Sequence, residues 1–113
     1  MSEKRNSPPR RFRDQPRVEM WGRRVPVALS RRARLLGLAL LDRRGAGAGL
    51  LVPGCRSVHT FGMRFALDLV FLDRSLRPVS LRRAVAPGRV AFERDARAVL
   101  ELPAGEPAPR GGT

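Results

Sequence analysis

The sequence is short of several residue types, and each shortage excludes something. It has one cysteine, Cys55, and one histidine, His59. A single thiol cannot make an internal disulfide framework or a multi-thiolate zinc site. Its longest compact apolar run is Leu35–Leu41, far below the roughly 20 residues that span a bilayer. No apolar stretch follows the basic N-terminus, so no secretory signal is expected. No internal repeat is visible. At 42% hydrophobic residues in 113, the chain has enough apolar content for about one domain. These exclusions leave a small cytoplasmic domain with polar ends and no membrane association.

Positive charge is abundant and is almost entirely arginine. Of the 23 basic residues only Lys4 is lysine, and the net charge is +13. Residues 1–45 carry +9 of it and residues 46–113 carry +4. A basic arm is a common device for touching nucleic acid or acidic surfaces. Residues 1–19 combine Pro8, Pro9 and Pro16 with Arg5, Arg10, Arg11, Arg13 and Arg17, and almost no apolar residue besides Phe12 and Val18. Such a segment buries too little apolar surface to offset its chain entropy. It reads as a disordered basic tail, and Met20 offers an alternative start. Residues 106–113, EPAPRGGT, read as a second disordered tail. The expected domain is therefore residues 20–105.

Within that domain, Arg23–Leu29 alternates Val25, Val27 and Leu29 in a strand pattern, with Pro26 pointing to an edge or strand start. Ser30 is placed to cap a helix over Arg31–Leu41, whose Leu35, Leu38 and Ala39 share one stripe. Arg31, Arg32 and Arg34 oppose the dipole of that first turn, and Gly37 interrupts the helix at a cost of about 1 kcal/mol. The Gly45–Gly49 run is a flexible break. Leu50–Val52 and Cys55–Phe61 read as extended pieces. Leu67–Leu72, apolar on both faces except for Asp68, reads as a central strand. Asp73 initiates a turn into Pro78–Val85, making a β-hairpin. Ala98–Leu102 is a last strand. The fold expected is α+β: a small β-rich domain of about five strands, in a mixed or antiparallel sheet or partly open barrel, with one main helix packed on it.

Four constellations could carry chemistry. The G-x-G of Gly45–Gly49 lies after a helix pattern and before a strand, the reverse of a dinucleotide fingerprint, and is read as a loop. Cys55 and His59 in extended chain lie about 13 Å apart, too far to share one ion. A Cys–His nucleophile would need a depressed thiol pKa; the plainer reading is a small buried thiol. His59 and Asp68 could meet if Cys55–Phe61 pairs with Leu67–Leu72. The carboxylate would then fix the imidazole tautomer, or the two would serve as a buried polar pair that sets register. The arginines could neutralise phosphates. The aromatics, however, fall in apolar runs rather than on a stacking platform, and a GC-rich coding sequence also yields arginine throughout.

The segments Gly49-Leu50-Leu51, SVHTFGMRFALDLVFLD (Ser57–Asp73) and VLELPAG (Val99–Gly105) resemble the family called domain of unknown function 192. The likeness covers roughly residues 25–105. It implies a compact β-rich domain with a helix packed on it, and it implies no activity. His59, Thr60, Met63, Asp68, Asp73, Glu101 and Gly105 match the family's recurring pattern. Two departures stand out. Many relatives carry an export or anchoring segment that this sequence lacks. Relatives also continue past the LEL-x-x-G element into a final strand, where this chain has EPAPRGGT; the missing strand would leave an open sheet edge for a protein partner.

The leading expectation is a non-enzymatic binding or accessory module whose ligand-facing residues are His59, Thr60, Arg64 and Asp68. No catalytic residue, metal ligand or cofactor is assigned. The alternatives are an arginine-driven binder of nucleic acid or acidic partners through the N-terminal arginines, and a hydrolase-like enzyme using Cys55 or the His59/Asp68 pair.

Overall fold

The computed structural model describes residues 12–30, 33–34, 37–39, 41 and 47–105. They form eight strands: β1 (Arg17–Met20), β2 (Arg23–Pro26), β3 (Leu50–Pro53), β4 (Ser57–His59), β5 (Leu67–Leu72), β6 (Pro78–Val85), β7 (Val90–Phe92) and β8 (Ala98–Pro103). Every strand pair is antiparallel. The central sheet has the order β3-β8-β5-β6, and β1-β2 and β4-β7 form two small sheets beside it.

Strand alternation explains the layering. Leu67, Leu69 and Phe71 of β5, with Val99 of β8 and Leu50 and Val52 of β3, join one apolar cluster with Val58 of β4 and Ala91 of β7. Val70 and Leu72, with Ala98, Leu100 and Leu102 of β8, join a second cluster with Met20 and Val25 of the β1–β2 hairpin. The central sheet is thus apolar on both faces because both are covered. Accordingly β5 and β8 are buried along their whole length. The central position expected for Leu67–Leu72 and its hairpin with Pro78–Val85 are both present.

The expected main helix is not. The fold is all-β among the described residues, not α+β. Ser30 does cap a turn, its Oγ accepting from Ala33 N–H at 3.0 Å. Arg34 N–H reaches Ser30 C=O and Gly37 N–H reaches Ala33 C=O. At Gly37 the backbone then adopts φ 51°, which ends a right-handed helix. The next amide, Leu38 N–H, leaves the ladder and donates to the Glu101 carboxylate. Leu38 itself is buried in the first cluster. Of the apolar side chains that suggested a helical stripe, Leu38 is buried in the core and Ala39 packs against it from this turn.

The boundary at Met20 also moves. Phe12 is wholly buried in the first cluster, and Arg17–Met20 pair with Arg23–Pro26. The hairpin turn is Trp21-Gly22, both at positive φ, the backbone of a two-residue type I′ turn. Residues 1–11 and 106–113, expected as disordered tails, lie outside the described residues. The open edge expected after the LEL-x-x-G element is not at β8, which has β3 on one side and β5 on the other.

Candidate functional site

The His59/Asp68 pairing depended on β4 lying against β5. Instead β4 pairs with β7, and the two residues have separate tasks. Asp68 is buried in β5 opposite a bulge in β6, where the register jumps between Leu67↔Val85 and Leu69↔Arg82. Its Oδ1 accepts from Ala84 N–H at 2.7 Å. Its Oδ2 lies 3.4 Å from both Gly105 N and Arg83 Nη1. Ala84 has φ 52°, so the carboxylate meets the amide of the strained bulge residue and ties β6 to the chain after β8. Asp68 is a structural latch.

Thr60 is likewise buried and structural. Its Oγ1 donates to Ala86 C=O at 2.7 Å and accepts from Arg89 N–H at 2.8 Å. Its own carbonyl accepts from Gly88 N–H at 3.0 Å. It clamps the turn that leads into β7. Arg64 is exposed. Of the four residues expected at a site, His59 alone lines the cleft beside β4. It is exposed on β4 and stacks on Phe61, ring centroids 5.4 Å apart.

That cleft, about 70 Å³, lies between β4 and the residues Arg34, Gly37, Leu38 and Ala39. Leu38, Ala39, Val52, Val58 and Met63 give it apolar walls, and Arg34, Cys55, Ser57, His59 and Glu101 supply polar groups. Glu101 is the residue that the candidate list missed. It lies on β8 between Leu50 and Leu69 of the neighbouring strands. Its side chain sits on the face that carries the first apolar cluster, and it is only 7% exposed. A Cβ on Gly37 would stand 3.2 Å from its Oε1, so the loop packs directly on the carboxylate. Burial pushes its pKa up to about 7, opposed by the hydrogen bond from Leu38 N–H. No cation among the described residues forms an ion pair with it. The visible signal was a lone carboxylate in the apolar run AVLEL.

Cys55 lines the same cleft, half-buried, its thiol directed at Ser57 C=O 2.8 Å away. Burial pushes the thiol pKa up, as does nearby Glu101; the Ser57 hydrogen bond and Arg34 act the other way. The net direction is opposite to what a thiolate nucleophile needs. Arg34 is held by its own chain, Nη1 donating to Pro53 C=O at 2.5 Å. Several other arginines are similarly engaged: Arg82 with Glu93, Arg83 with Asp68, Arg97 with Ala96 C=O. Among the described residues there is no group of three or more metal-ligating side chains, and no helix is long and apolar enough to cross a membrane.

The model of the domain of unknown function 192, described as "Uncharacterized ACR", matches residues 15–111. The chain belongs to this family. The match begins upstream of Met20 and takes in the whole of β1, while Phe12 lies just before it. No curated protein matches. Two solved structures share the fold of this DUF192 chain. One is a protein from Sinorhizobium meliloti 1021 provisionally described as a transcription regulator, with a TM-score of 0.63 and 23% identity over 79% of this chain and 78% of that one. The other is a protein of unknown function from Novosphingobium aromaticivorans DSM 12444, with a TM-score of 0.57 and 17% identity over 79% of this chain and 71% of that one. At these identities the likeness concerns the fold alone.

Proposed function

We propose that this DUF192 domain is a non-enzymatic binding module, and that its site is the cleft at Glu101 rather than a His59/Asp68 cluster. The ligand group it fits is a compact primary ammonium on a short apolar stem. The observation that carries this reading is a buried carboxyl, reached from a cleft, with one backbone N–H and, among the described residues, no ion-pair partner, Arg34 on the same cleft being held by Pro53 C=O. Buried carboxylates are ordinarily paired. Here the walls are in good part apolar and Arg34 is engaged by Pro53 C=O, so the partner is either a proton or a cation from outside. An ammonium would form a charge-assisted hydrogen bond with the carboxylate, and its stem would lie on Leu38, Val52 and Val58.

The test is an NMR titration of the isotopically labelled full chain with n-butylammonium, and with n-butanol as the neutral isostere. The amine perturbs the Gly37 and Leu38 amides and binds about tenfold more tightly at pH 8 than at pH 6, because it selects the ionised carboxylate. Glu101→Gln removes both the binding and its pH dependence. Equal binding of the alcohol, or unchanged amine binding by the Gln variant, would overturn the reading.

A further inference from the structure

The cleft runs along one edge of β4. Consecutive residues Ser57, Val58 and His59 all line it, although their side chains alternate between the two faces of the strand, and no residue of β7 does. It is therefore the edge turned away from β7.

Register decides which peptide groups point there. The β4–β7 partners are Ser57↔Phe92, Val58↔Ala91 and His59↔Val90. The flanking bonds are Thr60 N–H to Arg89 C=O at 2.8 Å and Glu93 N–H to Arg56 C=O at 2.9 Å. Bonded and non-bonded pairs alternate in an antiparallel ladder, so Val58 bonds Ala91, while Ser57 and His59 aim their N–H and C=O groups outward. Phe92 obeys the same rule on the other strand: its carbonyl turns out of the ladder and accepts from Arg82 Nη2 at 3.2 Å. On the cleft side, Ser57 C=O receives the Cys55 thiol. Among the described residues, Ser57 N–H and both peptide groups of His59 meet no partner.

We propose that an extended segment of a partner polypeptide adds to this free edge of β4, with a lysine of that segment carrying its ammonium to Glu101. The proposal rests on the reading of the cleft as an ammonium site, and it names the macromolecule that presents the group. A free amine would use the carboxyl and the apolar walls but leave the edge amides unused. A strand uses both, because main-chain bonds supply affinity and alternate side chains supply specificity. Val58 points inward to the apolar cluster, so the residue beside it on an added strand points toward the cleft floor. Its outward neighbours meet the exposed His59–Phe61 stack, beside Val90 and Phe92, which are 67% and 59% exposed. The unpaired carboxyl selects lysine over an acidic or neutral residue by charge.

The experiment uses the full chain and the peptide acetyl-Thr-Val-Lys-Val-Thr-amide. Binding slows hydrogen exchange at the Ser57 and His59 amides by tenfold or more. N-methylation along one edge of the peptide abolishes binding and along the other edge is tolerated, because a strand pairs through one edge only. Replacing the lysine by norleucine weakens binding tenfold or more. These arms alter the peptide and not the protein, so folding of a variant is not at issue. If n-butylammonium binds and the peptide leaves Ser57 and His59 unprotected, strand addition is overturned and the ammonium site stands. If the norleucine peptide binds equally well, the lysine assignment falls. If neither amine nor peptide binds, both readings fall together.

Discussion

Glu101 is an ionisable group placed where ionisation is costly. Its folded pKa of about 7 lies above the ordinary 4.5, so the folded state holds a proton that the unfolded chain releases. Stability therefore declines as pH rises from about 4.5 through about 7, by an amount on the order of 3 kcal/mol. Among the described residues, Cys55 and Arg34 on the cleft walls and His59 at its rim are the other titratable or charged groups lining it. Glu101→Gln keeps an acceptor for Leu38 N–H and removes the charge. Urea midpoints at pH 5 and pH 8 should fall with pH in the parent chain more steeply than in the variant; parallel midpoints would refute the assignment. Gly49 is constrained by the same strand. It has φ 117°, and a Cβ there would stand 2.5 Å from Glu101 C=O and 2.7 Å from Leu102 Cδ2. The carbonyl cannot yield without shifting β8, and the positive φ strains any L side chain there, so Gly49→Ala should cost roughly 2–4 kcal/mol in a denaturation experiment.

The β5–β6 hairpin is where local sequence and structure agree most closely. Asp73 makes its turn as expected, Oδ1 accepting from Ser75 N–H and Arg77 N–H at 2.8 and 3.0 Å. What the pattern of Leu67–Leu72 could not tell is why an aspartate interrupts it. The answer requires β6 to have a bulge and Gly105 to return past the end of β5, both of which are long-range facts. Asp68→Ala would take the side-chain acceptor from the Ala84 and Gly105 amides and unpair Arg83. Because Arg83 is 55% exposed, its ion pair adds little, and the lost amide acceptor dominates. The expected loss is roughly 2–3 kcal/mol by urea titration, with faster amide exchange at Ala84 and Gly105 than elsewhere. A change confined to a few tenths of a kcal/mol would show that the bulge does not depend on the carboxylate. The short strands β1 and β7 went unread for a related reason. Trp21-Gly22 was a visible turn signal, but β7 turns Val90 and Phe92 to solvent and buries only Ala91 between them, so hydrophobic alternation points the wrong way.

At the scale of the whole molecule, three sheets enclose two apolar layers, and the first layer is closed by Phe12. Nothing near it in sequence suggests a core residue, since its neighbours are Arg11 and Arg13. Average composition misleads there, because one aromatic side chain with a cavity to fill outweighs the charges beside it, which need only reach solvent. Phe12→Ala should cost about 3–5 kcal/mol, measured by thermal or urea unfolding, and a chain begun at Met20 should be at least as impaired through the added loss of Arg17–Glu19 from β1. Full stability of either variant would return residues 12–19 to the status of a tail.

The sequence by itself determined the family, the central strand, its hairpin with Pro78–Val85 and the β-rich character, because these rest on local alternation, turn chemistry and a contiguous motif. The tertiary structure alone decided three things. Leu38 N–H leaves a helical ladder for a carboxylate more than sixty residues away. β4 faces β7 rather than β5. His59 and Asp68, adjacent in the motif, part company while His59 and Glu101 converge on one cleft. Each turns on which distant segment fills the space beside a residue, and no local pattern encodes that. The single buried carboxylate of β8 acquires its meaning only when, among the described residues, no cation is seen to form an ion pair with it.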